Sequence, residues 1–194
     1  MKLSELLLQK KKKIVGRWFD LIVGTYPGLS SIFLKKKHAF GNPVGVNIER
    51  AIAKLYDELL RDEPGDRVQE CVGEIMRIRA VQEFSPAQAA GVIFFLKQAL
   101  RRELREDLDQ EPALAAELLD FESRVDVLAL LGFDVYVACR EKIYELRVNE
   151  VKQRYSGILR KTGLLAEIPG MDPCPGPGGG YEVLDDNNSG LEKG

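Results

Sequence analysis

One histidine, His38, one tryptophan, Trp18, and three cysteines, Cys71, Cys139 and Cys174, are all that the 194 residues contain of these types. Each scarcity excludes something. A hydrolytic triad needs a base, and the single histidine lies in the polar, glycine-rich stretch 35–45, which reads as a loop. No second His or Cys stands at ligand spacing from it, so no metal site is expected. The cysteines are odd in number and far apart, which fits neither a disulfide framework nor a CxxC motif; a reducing, cytoplasmic compartment is the expectation. Charge of one sign is lacking too: 28 basic against 30 acidic residues leave a net charge of −2, without the basic bias of a nucleic-acid binder. No apolar run approaches the ~18 residues of a membrane span. At the N-terminus the leucines precede the lysines at 10–13, the reverse of a secretory signal.

What the chain has in quantity is apolar residues at helical spacing. The stretch 84–100 combines a start signal with the densest apolar run: Ser85 reads as an N-cap, Pro86 as the first helical residue, Gln88 as the capping-box partner and Phe84 as a hydrophobic staple. At about 100° per residue, Ala90, Ile93, Leu96, Leu100 and Leu104 form one stripe, while Val92, Phe95 and Ala99 form another. A helix apolar on two sides belongs at the centre of a bundle. This one is expected to run to about residue 109, with Lys97 laying its stem along the core. Other helices are expected over 4–23 (capped by Ser4, with the lysines on a solvated face and the first turns projecting or frayed), over 46–60, and from an Asp66 cap to residue 83. The length suits one all-α domain of residues 1–162. Residues 163–194 turn to Pro and Gly and then to Asp and Asn, which predicts a flexible tail. Its Gly178-Gly179-Gly180 has neither a preceding strand nor a following Lys-Ser/Thr and makes no phosphate loop.

Pro112 opens the longest element. Residues 113–160 hold no proline and, before Gly157, only Gly132 as glycine. Leu114, Leu118, Phe121, Val125, Leu128, Gly132, Tyr136, Cys139, Ile143 and Leu146 recur at spacings of three and four. At about 1.5 Å per residue the run reaches roughly 70 Å, so either it breaks near residues 120–122 or its C-terminal part protrudes. A protruding end needs cover for Ile143, Leu146 and Val151. Homodimerisation through this helix is therefore expected, with Tyr136, Cys139, Ile143, Leu146 and Val151 as dimer and relay positions.

One charged residue disturbs the pattern. Val68, Val72 and Ile75 mark the apolar face of the third helix, and Arg79 and Gln82 fall on that face. Such an arginine must snorkel or be paired, because an unpaired buried charge is costly; the partners at hand are Asp126 and Asp134. Arg79, Gln82, Asp126 and Asp134 form the candidate buried polar set. Trp18, Phe94, Phe95, Phe133 and Tyr136 could line a small cavity, although a filled core is the simpler reading. Cys139 as a haem ligand yields to Cys139 as a packing residue, and no cofactor is expected. Asp185 and Asp186 are paired carboxylates in the tail, where nothing would hold their geometry. Without a catalytic constellation the expectation is a protein-binding or sensor module that is not an enzyme. The alternative is a ligand- or redox-cofactor-binding accessory protein, with the aromatic interior as pocket or Cys174 as an exposed contact.

The segments Arg77-Ile78-Arg79-Ala80-Val81-Gln82-Glu83-Phe84-Ser85-Pro86 and Leu131-Gly132-Phe133-Asp134-Val135-Tyr136, with Trp18-Phe19-Asp20 and Gly41-Asn42-Pro43-Val44-Gly45, resemble the N-terminal domain of the RsbT co-antagonist family over residues 3–155. The resemblance implies a bacterial stressosome-type sensory or protein-contact module, globin-like but without haem, that dimerises through its last helix and has other protein partners. In that family the helix leads to a phosphorylatable STAS domain. Here a short tail stands in its place, so a stand-alone member is expected and the usual output route is not implied. Stand-alone relatives also resemble proteins encoded near sulphite-reduction and heterodisulfide-reductase-like genes, which attaches the accessory alternative to sulphur energy metabolism.

Overall fold

The start signal at residue 85 is made in full. The Gln88 amide donates to Ser85 Oγ at 3.2 Å and the Ser85 amide to Gln88 Oε1 at 3.0 Å, with Pro86 in the first turn. The computed structural model describes residues 2–28, 34, 42–61, 65 and 67–161, with side chains to residue 156. The described residues hold six helices and no strand: α1 Leu3–Val23, α2 Pro43–Leu59, α3 Arg67–Val81, α4 Pro86–Glu103, α5 Arg105–Gln110 and α6 Leu114–Lys161. The chain divides into two compact units, Met1–Asn149 and Glu150–Gly194. The described part of the second unit is the end of α6. The expected Asp66 cap and the tail lie outside the described residues.

Within the first unit α4 is central, as its two apolar faces predict: Ala89, Ala90, Val92, Ile93, Leu96, Ala99 and Leu100 are all buried. It packs on α1, α2 packs on α3, and α1 and α2 also touch. Two large aromatic residues with a polar tip enter this core where the tip finds a carbonyl. Trp18 Nε1 donates to the Val92 carbonyl at 2.7 Å and Tyr56 Oη to the Leu7 carbonyl at 3.1 Å, so their rings are buried without an orphaned donor. Helix α4 stops at Glu103, earlier than expected, and Leu104 separates it from the short α5.

Three further boundaries differ from the sequence expectation for local reasons. Helix α1 begins at Leu3, so Ser4 is inside it and caps nothing. The Leu3 amide donates instead to Glu117 Oε2 of α6 at 3.0 Å. Leu3, Leu6 and Leu7 are buried, so the first turns neither project nor fray. The lysine run divides: Lys10 bonds the Glu103 carbonyl at 3.0 Å and pairs with Asp107, Lys11 reaches Asp57 at 2.5 Å, and Lys12 and Lys13 are exposed. Helix α2 begins at Pro43, earlier than expected, because Asn42 caps it. Its side chain accepts from the Gly45 amide at 2.8 Å and donates to the Leu34 carbonyl at 2.5 Å. That cap encloses residue 45 so closely that a Cβ there would collide with Asn42 and with the Leu34 carbonyl, which makes glycine a steric requirement.

Helix α6 does not break at residues 120–122; it is one element of 48 residues. Its inner stripe is dry, with Leu114, Leu118, Phe121, Val125, Leu128, Ala129 and Tyr136 all buried. Gly132 is the closest point of approach. A Cβ at that position would stand 2.7 Å from Ile93 Cδ1 of α4 and 3.1 Å from Met76 Cε of α3.

Candidate functional site

The chain carries two features that ordinary packing does not explain: a buried cation at the α3–α4 turn and an uncovered face on the helix beside it. Arg79, in the last turn of α3, has no exposed surface. It therefore does not snorkel. Nor is it paired with Asp126 or Asp134: both are exposed, and Asp126 is held by Lys97 at 2.5 Å. Among the described residues no carboxylate reaches the guanidinium. Its terminal nitrogens donate to Thr25 Oγ1 at 3.3 Å and to the Gln88 carbonyl at 3.1 Å. The Phe84 ring lies 3.7 Å from Arg79 Cζ and the Tyr26 ring 5.5 Å, with the two rings edge to face.

This cage stabilises a charge without a counter-charge. Aromatic faces attract a desolvated guanidinium, and the cage sits where α1 and α3 end, so the dipoles of these two helices favour a cation, opposed by the nearby N-terminus of α4. Arg79 Nε has no acceptor. Burial lowers the Arg79 pKa, opposed by Tyr26 and Tyr136, and burial raises that of Tyr26. Gln82 is exposed, yet it accepts from Tyr26 Oη at 2.8 Å and so steadies one wall of the cage.

The turn between α3 and α4 is fastened to α6. Tyr136 Oη donates to the Phe84 carbonyl, Arg140 to the Ala80 carbonyl at 2.9 Å, and Arg147 to Glu83 Oε1 at 2.9 Å. Glu83 adopts a φ of 61°, the left-handed region that non-glycine residues rarely enter. Its carboxyl pKa is held low by the Arg147 hydrogen bond.

These contacts fix the orientation of α6. Tyr136 is buried, and Cys139 and Ile143 are partly buried against the chain's own core, so three of the expected dimer positions face inward. Leu146 and, in the second unit, Val151 are exposed. The cavity set is dispersed. Trp18 and Tyr136 are packed, Phe95 is partly buried against the core, and Phe94 and Phe133 are 42% and 44% exposed. The recesses found among the described residues have other walls; the widest, of 480 Å³, is lined by Lys12, Lys13, Gly16, Arg17, Asp20 and Glu103. One of 210 Å³ is lined by Leu59, Val68, Arg124, Val127, Leu128 and Leu131, and one of 250 Å³ is lined mainly by charged residues of α2 and α3.

On another side of α6, about 120° around the helix from the inner stripe, runs a second one that its denser partner conceals in the sequence. Leu119, Leu130, Phe133, Tyr144 and Val148 are all exposed, and Val137 partly so. At about 100° per residue these six stay within about 40° of one line. The available signal is an echo at a spacing of eleven: Leu119 and Leu130, Phe133 and Tyr144, Val137 and Val148.

Neither thiol among the described residues is activated as a nucleophile. Burial pushes both the Cys71 and the Cys139 thiols up, with Glu74 adding to the first and Arg77 opposing the second, the reverse of a reactive thiol. No group of three or more His, Cys, Asp or Glu placed to hold a metal occurs among the described residues. No helix among them is long and apolar enough to cross a membrane.

An uncharacterised protein of Archaeoglobus fulgidus is 31% identical over 144 residues, covering 72% of this chain and 83% of that protein. No solved structure matches the chain. Residues 12–151, which include the Arg79 cage, the α3–α4 turn and the part of α6 beside them, match the family described as the RsbT co-antagonist protein rsbRD N-terminal domain. The chain belongs to that family.

Proposed function

We propose that this protein is a non-enzymatic regulatory or sensor module of the cytoplasm, resembling the stressosome-type domains of its family, that acts as a homodimer and passes its signal along α6 to another protein. The observation that carries this reading is the exposed apolar face of α6. Five large exposed apolar side chains aligned on one side of a single helix are more than scattered surface residues, and such a row supports a contact surface. The inner face of the same helix is fastened to the α3–α4 turn, so a change at the Arg79 cage reaches α6 through Tyr136, Arg140 and Arg147. Family membership supports a regulatory role in place of catalysis.

Native mass spectrometry of the full chain tests the reading. The expected species is a dimer at twice the 21.7 kDa chain mass. The double variant Leu130→Asp, Tyr144→Asp is expected to be a monomer with the helical content of the parent, since both residues are exposed. A monomeric parent, or a double variant that still dimerises, overturns the reading.

A further inference from the structure

We propose that the charged recess between α2 and α3 binds a small zwitterion of the amino-acid class, with its ammonium group on Glu58 and Glu74 at the floor and its carboxylate on Lys54 and Arg67 at the rim. The lining residues all belong to α2, α3 and the stretch joining them. A ligand here is a role separate from the contact made by α6, and it stands whether or not the chain dimerises.

The recess of 250 Å³ is lined by seven charged residues and one neutral one, Cys71. Charges of both signs so close together ordinarily pair off. Asp57 does so with Lys11 at 2.5 Å, and Arg61 stands 3.3 Å from Glu58 Oε2. Lys54, Arg67, Glu70 and Glu74 make no ion pair among the described residues, so two cations and two carboxylates surround one hollow without neutralising each other. The floor shows the same want of partners. Glu58 is 4% exposed, and its Oε2 is buried without a hydrogen bond, because Arg61, itself 55% exposed, is near enough to attract that oxygen but is not aligned to donate to it. Glu74 Oε2, on the α3 wall, is also buried without a hydrogen bond. The Cys71 thiol in that wall is pushed up by burial first and then by Glu74, Glu58 and Glu70, with Lys54 opposing, which places charges of both signs around one atom.

An ionised oxygen buried without a donor is costly, and two of them at one hollow call for donors that the chain does not supply. The carboxylates are not placed as a metal set, since no group of three or more His, Cys, Asp or Glu among the described residues could hold an ion. An ammonium group suits them better, because its three N–H donors serve two carboxylates at once. A plain amine would leave the exposed Lys54 and Arg67 unanswered, and a plain carboxylic acid would leave the floor unanswered. One molecule with both groups answers all four side chains. The recess has room for about eight waters at about 30 Å³ each and falls below the ~300 Å³ at which pockets for drug-sized molecules begin. That is space for a molecule of amino-acid size. With Cys71 as its one neutral wall, the recess selects by charge and size and offers no apolar slot for a large side chain.

Isothermal titration calorimetry of the full chain with each of the twenty standard L-amino acids tests this. At least one is expected to bind at one site per chain with a Kd of about 1 mM or tighter. For the tightest of them, the amine that lacks its carboxylate and the acid that lacks its ammonium group are each expected to bind about tenfold more weakly or worse. Glu58→Gln and Glu74→Gln, made separately, are expected to weaken binding by about the same factor, and Lys54→Gln by less, because it is exposed. Glu74→Gln should also leave the urea midpoint of the ligand-free chain unchanged or raise it, since an orphaned buried charge is removed; a purely structural role for Glu74 predicts a fall. Absence of binding by every amino acid overturns the proposal. An amine that binds as tightly as its parent amino acid overturns the zwitterion, and binding that survives both glutamine variants overturns the recess as its place.

Discussion

The two faces of α6 share one backbone and obey different rules. Toward the bundle, every position from Leu114 to Tyr136 on the inner line is buried, and the helix comes so close at Gly132 that a methyl group would meet Ile93 and Met76. Toward the outside, the same turns carry Leu119, Leu130 and Phe133 uncovered, with charges between them. The inner face is specified by shape and the outer by pattern. Shape tolerates almost no change in volume, because a packed interior has no room to give, whereas an uncovered pattern has little influence on the stability of the single chain.

The sharpest way to break this contrast is at its tightest point. Gly132→Leu forces a branched side chain between α3 and α4 and is expected to cost about 3 kcal/mol of folding stability, read as a lowered urea midpoint. A loss under about 0.5 kcal/mol, the usual limit for surface positions, would mean that α6 is not seated as described. A smaller effect is expected from Tyr136→Phe. It removes the hydroxyl that the Phe84 carbonyl accepts and keeps the ring, for a cost of about 1 kcal/mol. The change should speed proteolysis at the α3–α4 turn more than elsewhere. Least of all is expected from Leu119→Ser on the outer line. At concentrations where the chain is monomeric, its unfolding midpoint should stay within about 0.5 kcal/mol of the parent. A large loss there would show that the outer face is covered within one chain.

The same contrast shows which parts of the molecule could be read in advance. Periodicity and capping chemistry are local, so the box at Ser85 and Gln88, the central place of α4 and the unusual length of α6 were legible. The inner stripe of α6 was legible as well, but a regular apolar line says that something covers it, not whether that is the same chain or another: Tyr136, Cys139 and Ile143, expected against a second copy, lie against the chain's own core, while Leu146 and Val151 are exposed. Arg79 was recognised as an anomaly and its surroundings were not. The expected partners were carboxylates, and the observed ones are two aromatic rings, a threonine hydroxyl and a backbone carbonyl. A carbonyl leaves no mark in a sequence; of the two rings, Phe84 arrives through a turn whose left-handed residue is a glutamate where a glycine would have signalled it, and Tyr26 comes from beyond the far end of α1. The Asn42 cap is illegible in the sequence for a related reason, since it is completed by the Leu34 carbonyl across a connection. The outer stripe was hidden by sparseness, with polar residues between its members and an echo at eleven instead of at three and four.

The α3–α4 turn also bears on the order of events during folding. Its hairpin of helices is local in sequence, yet the carbonyls of Ala80 and Phe84 are taken by Arg140 and Tyr136, more than fifty positions further along. Contacts between residues so far apart require a large loop to be closed first, at a cost in chain entropy that local structure does not meet. The turn can therefore be outlined early by its capping box but is locked only when α6 arrives, so that a helix synthesised later completes the middle of the chain.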